Sequence, residues 1–203
     1  MSRRKALMIV DVQNDFCPGG ALPVPEGDRV VEPLNRAAGW FVALGLPVFA
    51  SRDWHPPVSR HFREWGGPWP GHCIQGTPGA AFHPLLRLPE GTRVFSKGSD
   101  PDSHGYSAFE GRCERGRTLL EVVCELGVGH LYVGGLATDY CVRATALEAL
   151  HSGLEVTLLA DAVAGVELSS GDTAAAVAEM TGAGVRLGSV EELLVQSDFR
   201  SLP

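Results

Sequence analysis

Two hydrophobic periods alternate along the whole chain. Residues 6–12 (ALMIVDV) are almost continuously apolar and run into an acid, as a strand buried on both faces does when it ends in a functional loop. Over 30–44 the apolar residues Val30, Leu34, Ala37, Ala38, Phe41 and Leu44 recur at helical spacing, and Gly45 supplies the stop. The same reading predicts strands at 47–52, 93–97, 130–137, 155–160 and, weakly, 185–187. Helices are predicted at 119–126, ended by Gly127, and at 139–150, with Val142, Thr145, Ala146, Ala149 and Leu150 on one face. A further helix at 169–180 has Ser169 or Ser170 as its cap, and a last turn lies at 190–194.

This alternation predicts an α/β fold: a three-layer α/β/α sandwich around a mostly parallel six-stranded sheet, whose active loops lie beyond the C-terminal strand ends. Four of those ends carry reactive groups: Asp11, Asp53 with His55, Lys97, and the ATDYC run at 137–141. The length, 203 residues and 21.6 kDa, reads as one domain spanning 1–203. No GxGxxG follows the first strand, which argues against a dinucleotide binder.

Composition alters this picture in one place. Residues 53–91 hold 13 Gly and Pro, four of the seven His and three of the four Trp, with no periodic pattern. A structureless connection of that length is functional or disordered, and the Trp residues argue for order. A formal charge of −7 disfavours a nucleic-acid groove. No apolar run approaches the ~20 residues of a membrane span, and the N-terminal run is too short and too soon acidic for a secretory signal. Five Cys (17, 73, 113, 124 and 141), odd in number and without a CxxC, read as reduced thiols of a cytoplasmic protein.

Two constellations bear chemistry. Cys141 falls in the first turn of a helix after a strand, where unpaired amides and the helix dipole favour a thiolate; simple packing is the plainer alternative. Asp11, closing a buried strand, can take the thiol proton or cap its own turn, and Lys97 can pair with Asp11 or sit on the rim. A Cys, an acid and a Lys suit acyl transfer through a thioester. Asp53 and His55 point to one side of an extended segment, and His61 and His72 follow. One carboxylate with two or three imidazoles suits Zn²⁺, Mn²⁺ or Fe²⁺, although surface loops also collect His. Phe16 and Trp69 are loop aromatics able to clamp a flat ring, with Trp54, Trp65 and Tyr106 in reserve.

Taken together, IVDVQNDFCPGGAL, SRDWHP, GGPWPGHCIQGTPGAAF, VFSKGSDPDSHGYSAF and GLATDYCVRATALEAL closely resemble the nicotinamidases of the isochorismatase-like cysteine hydrolases, over about residues 5–187. The resemblance implies catalytic Asp11, Lys97 and Cys141, and one divalent metal ion, Zn²⁺ first and Mn²⁺ or Fe²⁺ as alternatives, on Asp53, His55 and His72. His61 is carried as a fourth ligand, with Ser59 as the alternative, because the family's further His commonly stands where Ser59 does here. It also implies a cis peptide between Ala137 and Thr138, an oxyanion held by the Thr138 and Cys141 amides, and a substrate ring between Phe16 and Trp69, near Tyr106. The implied activity is hydrolysis of nicotinamide, and of pyrazinamide, to the acid and ammonia in NAD salvage. A related amidohydrolase acting on another small amide or carbamoyl compound, or a non-catalytic metal-binding partner protein, is the alternative. A homo-oligomer stays open.

Overall fold

The computed structural model describes residues 3–198. Strands β1 (Arg4–Val10), β2 (Val48–Asp53), β3 (Arg93–Lys97), β4 (Val128–Leu136), β5 (Glu155–Ala164) and β6 (Arg186–Gly188) form one sheet in the order β3-β2-β1-β4-β5-β6. Every pairing is parallel, where the pattern predicted only a mostly parallel sheet. The helices are α1 (Val31–Ala43), α2 (Leu119–Glu125), α3 (Arg143–His151), α4 (Asp172–Ala183) and α5 (Val190–Asp198).

Alternation along β1 divides the core. Leu7 and Ile9 pack with Leu34 and Phe41 of α1 and Leu193 of α5, whereas Ala6, Met8 and Val10 pack with Leu119 of α2, Ala146 of α3 and Met180 of α4. Helices therefore cover both faces, and the molecule has the three layers predicted. The predicted α1 stripe is buried at Leu34, Ala37, Ala38 and Phe41, but Leu44 lies beyond the helix end and is exposed. α2 begins with a capping box in which Thr118 and Glu121 satisfy each other's backbone amides.

The chain starts in the middle of the sheet, winds out through β2 and β3, then crosses to β4 on the other side of β1. The crevice of such a sheet opens where the winding reverses, here between β1 and β4. Gly135 lets these two strands approach: its φ is +124°, and a Cβ there would stand 2.1 Å from the Val10 carbonyl oxygen.

Several local expectations change. The helix expected at 139–150 opens with a wide π-type turn, Thr138–Val142, before regular α3. β5 runs on to Ala164, because after a register shift Val163 and Ala164 pair with Gly135 and Leu136. Neither Ser169 nor Ser170 caps α4. The cap is Gly171, in the left-handed region, and the Glu167 carboxylate accepts from the Gly171 and Thr173 amides. The non-proline cis peptide joins Leu136 to Ala137, not Ala137 to Thr138: the strand stops at Leu136, so the turn starts one residue earlier than expected. Segment 53–91 is ordered by short 3-10 turns at Arg63–Trp65 and Pro78–Ala80 and by isolated bridges, His55 to Ile74, Phe62 to Trp69 and Phe82 to Gln13.

Candidate active site and metal centre

Asp11 follows directly on β1, and its φ of +48° is uncommon for a residue with a side chain. The turn carries its carboxylate into the crevice, where Oδ1 accepts from the Ser51 hydroxyl at 2.7 Å. Lys97 ends β3 and is fully buried. Its ammonium donates to Asp53 Oδ1, to the Gly105 carbonyl at 2.7 Å and to Cys141 Sγ at 3.3 Å. Asp11 Oδ2 lies 2.8 Å from the same nitrogen. Three protons thus face four acceptors, so Asp11 Oδ2, ion-paired with the ammonium, competes for them with Cys141 Sγ. A carboxylate oxygen that shares the ammonium in this way can take a proton from the thiol of the same cluster.

The electrostatics agree. Burial raises the Asp11 pKa, opposed by Lys97 and reinforced by Asp53. Burial also pushes the Cys141 thiol well up, with Lys97 opposing, so the resting cysteine keeps its proton. Burial disfavours the Lys97 cation, but Asp11 and Asp53 outweigh it and hold that pKa well above normal. For Asp53, burial is overridden by the Lys97 charge and by His55 and His72, leaving an ionised carboxylate with its pKa well below the usual range.

Asp53 joins the two constellations that the sequence presented separately. Its Oδ1 serves Lys97, while Oδ2 lies 3.6 Å from His55 Nε2 and 3.7 Å from His72 Nε2. Ligand atoms of His55, His61 and His72 lie within 4.8 Å of one another, and all three rings are buried. His55 directs Nδ1 at the Gly98 carbonyl (3.0 Å) and His72 directs Nδ1 at the Pro70 carbonyl (2.8 Å), which leaves each Nε2 as the inward-facing lone pair. His55 Nε2 and His61 Nδ1 are buried without partners. Burial, followed by the neighbouring imidazoles, lowers the His61 pKa to about 3, so it stays neutral. Orphaned imidazole nitrogens beside an ionised carboxylate fit a divalent ion of the Zn²⁺, Mn²⁺ or Fe²⁺ kind. Ser59 is buried too, and its hydroxyl accepts from the His61 amide at 3.2 Å.

A narrow cleft opens between the two centres. Asp53, His61 and His72 lie along it, as do Ala137 and Cys141. Its remaining walls are Phe16, Leu22, Trp69, Tyr106, Tyr140 and Val166. Trp69 donates from Nε1 to the Tyr106 hydroxyl at 3.0 Å and meets Tyr140 edge-on, with ring centroids 4.9 Å apart. Phe16, Trp69 and Tyr106 thus reach the cleft as the sequence suggested. Thr138 does not line it, whereas Ala137 does. Leu22, Tyr140 and Val166 were missed. Tyr140 stood beside the cysteine and was the one discoverable from sequence. Val166 arrives through a tertiary clamp: buried Asp139 accepts from the Val166 and Glu167 amides, both at 2.9 Å.

The nicotinamidase of Escherichia coli is 42% identical over 199 residues, covering 90% of this chain and 93% of that protein. The nicotinamidase/pyrazinamidase of Mycobacterium tuberculosis is 43% identical over 189 residues, covering 90% and 97%. The pyrazinamidase of Pyrococcus horikoshii, solved in complex with zinc, superposes with a TM-score of 0.84 at 46% identity, covering 92% of this chain and 99% of that one. The Isochorismatase domain family matches residues 5–192, a stretch that holds all but the first residue of the sheet and every residue of the candidate site, and the chain therefore belongs to the isochorismatase family.

Proposed function

We propose that the protein hydrolyses nicotinamide to nicotinate and ammonia through a thioester on Cys141, as a step of NAD salvage, and that it accepts pyrazinamide. The observation that carries this reading is the buried Asp11–Lys97–Cys141 cluster beside an aromatic-walled cleft that is also lined by His61 and His72 of the imidazole cluster. Nicotinamidases among its relatives support the substrate. We take the whole chain as one domain. Among the described residues no helix is long and apolar enough to cross a membrane, and all five cysteines are free, which supports a reducing compartment such as the cytoplasm.

The ring enters between Phe16, Trp69 and Tyr106 with its amide toward Cys141. Sγ gives its proton to Asp11 Oδ2 as it attacks the amide carbon, and Lys97 turns toward the growing negative charge. Amides of the turn after β4 receive the oxyanion; we assign this to Ala137 and Cys141, which line the cleft, in place of the expected Thr138. Asp11 then protonates the leaving nitrogen, the C–N bond breaks, and ammonia departs. Water attacks the thioester carbon with Asp11 as base, the C–S bond breaks, and nicotinate leaves with the thiol restored. Asp53, His55, His72 and His61 would hold the divalent ion, which we assign as zinc. When bound, it supplies a Lewis-acid contact for the ring nitrogen, a template role.

The test is ammonia release from nicotinamide, pyrazinamide and a panel of aliphatic amides, by wild type and Cys141→Ala. Pyridine and pyrazine amides should lead the panel, and the variant should lose turnover by several orders of magnitude. Unchanged turnover in the variant would eliminate the thioester route, and preference for an aliphatic amide would eliminate the substrate assignment.

A further inference from the structure

The DVQNDF run begins with the catalytic acid, and the mechanism above uses only Asp11 and Phe16 from it. Gln13 is completely buried, and its side chain makes three hydrogen bonds. Oε1 accepts from the Asp53 amide at 2.7 Å; Nε2 donates to the Asp53 carbonyl at 2.8 Å and to the Ala80 carbonyl at 2.9 Å. One carboxamide thus takes both backbone polar groups of a single residue, as a neighbouring strand would. Such a substitute is needed here. Pairing of β1 with β2 ends at Ile9 and Ala50, and the chain turns away at Asp11, so the last residue of β2 has no ladder on that side. On its other side Asp53 pairs with Lys97 of β3.

We propose that Gln13 is a positioning residue that completes the sheet at Asp53, so that one carboxylate can face Lys97 with Oδ1 and the imidazole cluster with Oδ2. Without that clasp, the backbone N–H and C=O of Asp53 lose their partners between the Asp11–Ser51 bond on one side and the His55–Cys73 bond on the other, and the carboxylate loses the orientation that both centres require. Gln13 is then the link between the loop bearing the proton acceptor and the segment bearing the ligands. The inference rests on the metal reading given above and adds a determinant outside the ligand set.

The experiment measures zinc affinity by chelator competition and the visible spectrum of the cobalt-loaded protein, for wild type, Gln13→Glu, Gln13→Met and, as a control, Asn14→Ala. Asn14 sits next to Gln13, but its side chain donates to the Pro78 carbonyl, at 2.8 Å, and not to Asp53. Displacing a group that orients a ligand commonly weakens metal binding by about 10–100-fold. Both Gln13 variants should show a loss of that size with an altered cobalt spectrum, while Asn14→Ala matches wild type. A folded Gln13→Glu with unchanged zinc affinity and spectrum would overturn the proposal. So would an equal loss in Asn14→Ala, which would mark a general loosening of the loop. Wild type that takes up no metal would overturn both this inference and the metal reading, whereas tight wild-type binding with unaffected Gln13 variants would overturn this inference alone. Should the variants not fold, the wild-type carboxamide resonances decide: zinc loading should shift the Gln13 side-chain N–H signals, and signals that stay in place would refute the link.

Discussion

Replacing Lys97 with Met keeps most of the side-chain volume and removes the cation that lies between Asp11 and Asp53. At an effective dielectric constant of about 20, charges 2.8 Å apart attract by about 6 kcal/mol. Burying the ions offsets much of that gain, so the wild-type group is far less stabilising than the attraction suggests. Removing one member is different, because the carboxylates stay buried and the hydration they lost is no longer compensated. Breaking a buried pair in this way costs about 3–5 kcal/mol. Lys97→Met should therefore lose about that much stability at pH 7 in urea unfolding of metal-free protein, together with nearly all turnover. The pH dependence has a definite sign. In wild type the depressed Asp53 pKa contributes stability that is present above the unfolded carboxyl pKa and lost as pH falls through the lower, folded one. In the variant burial acts on Asp53 without the opposing cation, so its folded pKa rises, and protonation favours the native state. The two stability curves should converge as the pH is lowered from 7 towards 4. A gap below 1 kcal/mol at pH 7, or one that widens on acidification, would refute the reasoning.

Two further outcomes follow from the same geometry. Gly98→Ala puts a Cβ 2.4 Å from His55 Cε1 at a position with φ +68°, so it should displace the ring and weaken zinc binding at least tenfold in chelator competition. His130, away from the site, is buried against Tyr132 and bonds Thr157 Oγ1 at 2.9 Å; burial lowers its pKa to about 4. Its unfolded pKa is near 6.5, so the unfolded chain binds the extra proton first. Wild type should lose on the order of 2 kcal/mol of stability between about pH 6.5 and 4, and His130→Gln should flatten that limb in a pH series of unfolding curves.

Much of this was legible from local pattern. Strand 93–97 matched residue for residue, and the helical stripe through Leu34, Ala37, Ala38 and Phe41 is the buried face of α1. Asp11, Lys97 and Cys141 could be grouped because a parallel sheet delivers its C-terminal strand ends to one edge. The parts that stayed hidden are those decided across the sheet. Nothing local to GDTAAAV says that Glu167, rather than a serine, satisfies the amides at the start of α4. The length of β5 depends on a register shift against β4, and the entry of Val166 into the cleft depends on an aspartate 27 positions earlier. Asp53 read as a metal ligand alone, since its bond to Lys97 comes from the pairing of β2 with β3. His61 and Ser59 could not be separated by spacing, because the choice rests on which side chain turns inward from an irregular loop.

The reversal of winding between β1 and β4 divides the chemistry by order of synthesis. The first 110 residues contain the proton acceptor, the lysine and every candidate metal ligand, yet no nucleophile reaches the cleft until β4 has been laid beside β1 and the turn at Thr138–Val142 has closed over it. An emerging chain would thus carry its metal-binding half well before it could attack any amide, and a reactive thioester could form only after the second half had docked. Turnover would then serve as a reporter of completed assembly.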